Sequence, residues 1–317
     1  MDSARRPCDH PAVRDRWPWL VFGVLGAGLA VRFVGLGDAV WWHDEVFTRV
    51  FATGHAPAQW FSEVYGKGPV PAAELLRFQR LDPGLGLSDT VLGLARNEPQ
   101  NPPLYYLLAH LWMRLFGDGV VALRALSAVF GVGTVAAGAW WAHEAFRDRR
   151  TTLLAALGLS LSPVLVLFSQ EARAYSLWTL LLAASCAALL RAWRAGGRAW
   201  WAYGALTTLA LYTSLSHAGV IGAQVLWVVW QARGRPTRPA LTAAGTLAGC
   251  AVLYAPWGWM VLDHWEAMRA STAWTREIVV PRAELLGTFA LNLSRPVVDL
   301  GAEPAGWGWL PVGLGAA

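Results

Sequence analysis

The sequence predicts an all-α protein, a polytopic transmembrane helical bundle with one long outer loop bearing surface helices, and three observations carry that prediction. Only 15% of the 317 residues are charged and 55% are hydrophobic, against roughly 25% charged in an average soluble domain. Mean hydropathy is +0.36. The apolar residues gather in runs close to the roughly 20 residues a helix needs to cross about 30 Å of hydrocarbon. A single water-soluble globule is excluded on these grounds. Cys8, Cys186 and Cys250 are scattered over a polar tail and two apolar runs, which suggests neither a disulfide framework nor a zinc site.

The runs fall at 17–37, 119–142, 152–169, 176–194, 199–215, 218–232 and 240–262, giving seven expected spans. The first opens on Trp17-Pro18-Trp19 and lacks a small-residue cleavage site after it, so it reads as a retained helix and not a signal peptide. Arginines mark every second connection: Arg5, Arg6, Arg14 and Arg16; then Arg147, Arg149 and Arg150; then Arg191, Arg194 and Arg198; then Arg233, Arg235 and Arg238. Cytoplasmic connections carry such an excess, so the chain is expected in the plasma (inner) membrane with its N-terminus cytoplasmic. Topology accounts for the net charge of +5 and the pI near 9.4, and no nucleic-acid partner is expected.

This threading divides the chain into a cytoplasmic tail at 1–16, a membrane core at 17–262 that includes an outer loop at 38–118, a second outer loop at 263–304, and the start of a further span at 305–317. The last of these stops with the chain, so the sequence reads as a fragment or a shortened relative of something longer. The segment from Asn101 to Gly117 is apolar but short, and counting it as a crossing would invert every later arginine cluster. It reads instead as a helix on the outer membrane surface, opened by Pro102 and Pro103 in its first turn.

The outer loop is rich in carboxylates, and Trp41-Trp42-His43-Asp44-Glu45 is its sharpest feature. Two adjacent acids against an aromatic belt suit a base with a raised pKa or a divalent-cation site; the plainer reading is that Asp44 caps a helix. Ser169-Gln170-Glu171-Ala172-Arg173-Ala174-Tyr175 is a polar island on the same side, where Glu171 and Arg173 form either a phosphate site or a turn-stabilising ion pair. Arg32 and Arg124 lie near the outer ends of apolar segments; both are placed to snorkel, and Arg124 is also placed to meet a lipid phosphate. His217, in an outward turn, is either a turn residue or a metal ligand alongside Asp44 and Glu45. A divalent cation is the one cofactor these residues suggest.

Three segments, His43-Asp44-Glu45, then Asn101-Pro102-Pro103-Leu104-Tyr105-Tyr106 with Leu115-Phe116-Gly117 and Arg124, then Ser169 to Tyr175, follow one another in an order and separation that resemble a known family. It is the membrane glycosyltransferases of GT-C fold, specifically the protein O-mannosyltransferase and aminoarabinose-transferase-like group (glycosyltransferase family 39-like), and the resemblance covers about residues 17–260. It implies transfer of a sugar from a polyprenyl-phosphate donor to a protein, lipid or glycan acceptor at the outer face, with inversion. It makes Asp44 the catalytic or metal-organising acid with Glu45 beside it, and Asn101, Tyr105, Arg124, Glu171 and Arg173 the substrate-binding set, to which His217 is added from its place in the outward turn. Asn101 stands where many relatives carry histidine and some lysine, and the family usually continues through several more spans. Two rival readings are a transporter or lipid-carrier flippase and a non-catalytic remnant; paired, interrupted halves of the transporter type are not visible.

Overall fold

A computed structural model describes residues 17–277 and 281–297; no strand occurs among them. The tail at 1–16 and the expected further span at 305–317 lie outside the described residues, as does the end of the second outer loop. Helix α1 (Trp17–Ala30) runs on into a 3-10 turn over Val31–Phe33. The first outer loop is then built from α2 (His43–Ala52), α3 (Pro57–Glu63), α4 (Ala72–Leu76), α5 (Leu87–Asn97) and α6 (Leu104–Phe116). The body of the bundle follows as α7 (Val120–Phe146), α8 (Arg149–Leu161), α9 (Pro163–Ser169), α10 (Tyr175–Ala195), α11 (Ala199–Leu211), α12 (His217–Gln231) and α13 (Arg238–Asp263). Three short helices come after it, α14 (Trp265–Ser271), α15 (Trp274–Glu277) and α16 (Arg282–Ser294).

Helices α7, α10 and α13 are each long and apolar enough to cross a membrane, and α8 with α9 adds a fourth crossing if the pair counts as one. The 27 residues of α7 give about 40 Å of helix at 1.5 Å per residue. Apolar side chains on α12 and α13 are bare: Trp230 and Val252 are each 72% exposed, the surface a lipid-facing helix presents. This is an all-α helical membrane protein. Helix α11, with 13 residues, is shorter than the expected span at 199–215, whereas α12 has the 15 residues expected at 218–232, shifted by one position. Residues 212–216 leave the helix for a tight turn, closed by Ser214 N–H to Ala210 O at 2.9 Å and His217 N–H to Ser214 O at 3.1 Å.

The expected straight span at 152–169 is instead two helices bent by 57°. Pro163 is the cause, since it lacks the N–H that would bond Leu159 O and its ring crowds that carbonyl. Arg32, expected to snorkel, is fully buried beside the break. Its guanidinium donates to Ser160 O at 2.8 Å and to Leu159 O at 3.0 Å, capping carbonyls beside the bend, and to Gly28 O on α1. Helix α10 packs along α7 and α11, α11 against α13, and α8 between α7 and α1.

The outer loop is a packed cap. Phe51, Leu94, Tyr105, Met113, Leu123, Leu177 and Trp257 share one core, joining α2, α5 and α6 to α7, α10 and α13. The segment at 98–104 is gripped from three sides: Trp257 Nε1 donates to Pro99 O at 3.1 Å, Ser271 Oγ to Gln100 Oε1 at 3.3 Å, and Leu104 N–H to Tyr212 O at 2.9 Å. At the opposite end of the bundle, Arg147, Arg191 and Arg194 surround Glu144.

Close approach of α9 to α7 depends on Gly131, where a Cβ would lie 2.7 Å from Ser169 Cβ and 2.0 Å from its Oγ. Gly131→Ala is therefore expected to cost about 1–3 kcal/mol through overpacking. The double variant Gly131→Ala with Ser169→Gly should recover most of that loss, as read from thermal unfolding midpoints in detergent.

Candidate functional site

Helix α2 begins at His43, with Trp42 as an extended N-cap residue whose side chain makes no capping bond. Asp44 is accordingly a first-turn acid and not the cap, a position where the helix dipole favours negative charge. Asp44 and Glu45 are consecutive, so about 100° of helical rotation separates them and they face different surroundings.

Glu45 points inward and is 0% exposed. Its Oε1 accepts from Arg124 Nε at 2.8 Å and from Ala172 N–H at 2.7 Å, and its Oε2 accepts from Arg124 Nη2 at 2.6 Å. Arg124 also donates to Leu36 O at 2.8 Å, Ala39 O at 3.1 Å and Val40 O at 2.9 Å. Those bonds engage all five N–H groups of the guanidinium. Its flat face lies 5.3 Å from the Trp41 ring. The pair thus fastens the end of the first connection, the start of α2 and the 170–174 turn onto α7.

Asp44 turns to the other side, with its side chain 34% exposed. Arg173 reaches it from the turn: Nη2 lies 3.5 Å from Asp44 Oδ2, while Nη1 donates to Asp44 O at 3.2 Å and Thr48 Oγ1 at 3.1 Å. Arg173 forms part of a cavity of about 80 Å³ with Asn101, Tyr106, Tyr175, Trp178 and Ser214. Glu98 stands nearby; its Oε2 accepts from Asn101 Nδ2 at 2.5 Å, and burial pushes its carboxyl above the ordinary range although Arg173 pulls it back. Glu171 is pushed up to about 7, first by burial and then by the charge of Glu45. Its Oε2 is buried and accepts no hydrogen bond.

A second, larger cavity of about 900 Å³ shares Trp178 as a wall with the first. It runs between α7, α10 and α12, past Leu182, Leu189, Ala223 and Trp227, to Glu144 and Arg194. A polar niche at one end of the bundle thereby adjoins an apolar groove that reaches the other.

Of the residues singled out in the sequence, Asn101 and Arg173 line the small cavity, Asp44 meets Arg173, and Glu171 lies close enough to sense the charges of Asp44 and Arg173. Glu45 and Arg124 are occupied with each other. Tyr105 faces the core, its hydroxyl 2.8 Å from Ser127 Oγ, and the neighbouring Tyr106 lines the cavity in its place. His217 is fully buried, neither ring nitrogen has a hydrogen-bond partner, and no bond links it to Asp44 or Glu45. The three candidate metal ligands do not converge, and among the described residues no three His, Cys, Asp or Glu side chains are grouped to hold a metal ion. Glu98, Thr48 and Tyr106 were not singled out. For Glu98 a signal existed in its position three residues before Asn101; Tyr105 and Tyr106 are indistinguishable until the helix is docked.

Removing one partner of the buried pair leaves an uncompensated charge. Arg124→Met is expected to cost about 3–5 kcal/mol, with Glu45→Leu added in the same chain costing less than the sum of the singles, measured by chemical unfolding. Glu171 binds its proton more tightly folded than unfolded. The stability this contributes is complete below the ordinary carboxylate range and is lost as pH rises through about 7. The unfolding midpoint should fall over that window, and Glu171→Gln should flatten the fall.

No curated protein and no solved structure matches the chain. A family model described as dolichyl-phosphate-mannose-protein mannosyltransferase does, over residues 100–259. The matched stretch opens on Gln100 and Asn101 at the small cavity and closes inside α13, taking in Arg124, Arg173 and the whole of the groove. That stretch is half of the chain, and the chain therefore belongs to this family, as a membrane glycosyltransferase of the mannosyltransferase type.

Proposed function

We propose that the protein transfers a sugar from a polyprenyl-phosphate donor to an acceptor hydroxyl at the outer face of the plasma membrane. One observation carries the reading: the niche holding Arg173 beside Asp44 shares the Trp178 wall with a 900 Å³ apolar groove. A polar head joined to a long hydrocarbon tail is the ligand shape that such a pair accepts. The arginine-rich connections at the other end of the bundle support placing the niche outside.

The small cavity holds about 80 Å³, two to three times one water's share of the liquid, about 30 Å³. That is the scale of a phosphate and too little for a whole sugar. The donor phosphate accordingly lies against Arg173, whose planar fork suits phosphate oxygens, with Asn101 and Tyr106 around it and the prenyl chain passing Trp178. The sugar then extends toward the partly exposed Asp44.

In the reaction, Asp44 accepts the proton of the acceptor hydroxyl while that oxygen bonds to the anomeric carbon. The bond from that carbon to the phosphate oxygen breaks, and its electron pair leaves on the lipid phosphate, where Arg173 stabilises the charge. Attack from the side opposite the phosphate inverts the anomeric centre. Asp44 later loses the proton to water. Glu45 and Arg124 act by position, holding α2 and the 170–174 turn so that Asp44 meets Arg173.

Purified protein given a mannosyl polyprenyl phosphate and a hydroxyl acceptor should release polyprenyl phosphate. Asp44→Asn should lower kcat by about 10²–10⁴-fold, the range of a positioned base, with the unfolding midpoint retained. Arg173→Lys should raise KM for the donor. Equal turnover by wild type and Asp44→Asn would remove Asp44 from the mechanism.

A further inference from the structure

The end of the bundle remote from the niche has a charge arrangement that sugar transfer does not use. Glu144 is 1% exposed, and its carboxylate meets Arg147 Nη2 at 2.7 Å, Arg194 Nη2 at 2.9 Å, Arg191 Nη1 at 3.5 Å and Trp140 Nε1 at 3.3 Å. Three guanidinium groups therefore share one carboxylate, an excess of two positive charges. Each remains partly open, with side-chain exposures of 51% for Arg147, 59% for Arg191 and 39% for Arg194. Glu144 and Arg194 also form the mouth of the 900 Å³ groove, between Trp141 and Trp193.

We infer that this mouth binds an anionic phospholipid of the adjacent leaflet, its phosphate among Arg147, Arg191 and Arg194 and its acyl chains in the lower part of the groove. Charge complementarity selects the occupant. The excess of guanidinium calls for an anion, the apolar walls behind it call for hydrocarbon, and an anionic lipid supplies both. Glu144 is the organising residue, since it draws together three like charges that would otherwise repel. From Trp178 to Arg194 is about 24 Å along α10 at 1.5 Å per residue. A donor tail entering past Trp178 and a leaflet lipid entering past Arg194 thus approach the groove from opposite ends. Lipid binding at this mouth does not depend on sugar transfer and is read without turnover.

The test reconstitutes the full chain in vesicles of mixed phosphatidylcholine and phosphatidylglycerol, re-extracts it, and counts the retained lipids by native mass spectrometry. Phosphatidylglycerol should be retained over phosphatidylcholine roughly tenfold, the scale of one to two basic side chains meeting an anionic headgroup. The preference should shrink at high salt, and inorganic phosphate should not abolish it. The double variant Arg191→Gln, Arg194→Gln should lose the preference, whereas Ala223→Phe, which fills the groove and spares the arginines, should lower retention of both lipids. Equal retention of the two lipids by wild type, a preference indifferent to salt, or full displacement by inorganic phosphate would each overturn the inference. So would an unchanged preference in a folded double variant. The wild-type arms decide the matter if that variant does not fold.

Discussion

The Glu45–Arg124 ion pair is the constraint on which the rest of the site depends. Placing a carboxylate and a guanidinium where neither reaches water is costly, and the cost is met only when both carboxylate oxygens and every N–H find partners. Here they do. The guanidinium spends three of its bonds on the carbonyls of Leu36, Ala39 and Val40, and the carboxylate takes the Ala172 N–H. Three stretches of chain distant in sequence are thereby held to α7 at one point. The neighbour of Glu45 in α2 is left pointing the other way, at Arg173, and the chemistry of Asp44 is a consequence of where Glu45 is anchored.

The same pressure to pair polar groups in a low-dielectric interior shapes the scaffold, with His217 and Glu171 Oε2 among the exceptions. Pro163 breaks a span and frees carbonyls, and Arg32 meets them from the 3-10 turn after α1. Tyr203, Gln224 and Ser185 link α11, α12 and α10 by hydrogen bonds of 2.8 and 3.2 Å in an otherwise apolar region. Between these fixed points the walls of the groove are tryptophan, leucine and alanine, so one end of the bundle is built for polar contacts and its middle for hydrocarbon.

Much of the architecture was legible because it depends on composition and period. Apolar runs marked the positions of the helices, the prolines at 102 and 103 marked the start of α6, and alternating arginine clusters separated the loop end from the other end. Lengths were less legible: α11 ends at Leu211, four residues inside the expected span at 199–215, because Tyr212 and Leu215 carry the apolar run into the turn. At the site, His43-Asp44-Glu45 and Glu171-Ala172-Arg173 stood out as polar islands, but nothing local tells a buried acid from an open one when the two are adjacent.

From the sequence alone came the membrane, the all-α class, the two chemically distinct ends and the segments that meet at the site, because each follows from residue type summed over a window. Tertiary structure decided the roles within those segments. It set Glu45 against Arg124 and Asp44 against Arg173, turned Tyr106 and not Tyr105 to the cavity, brought Glu98 beside Asn101, and enclosed His217 without partners. Those outcomes depend on the rotation of one helix against another and on which donor arrives at each acceptor, and both are set by contacts between residues more than a hundred positions apart as well as by near ones.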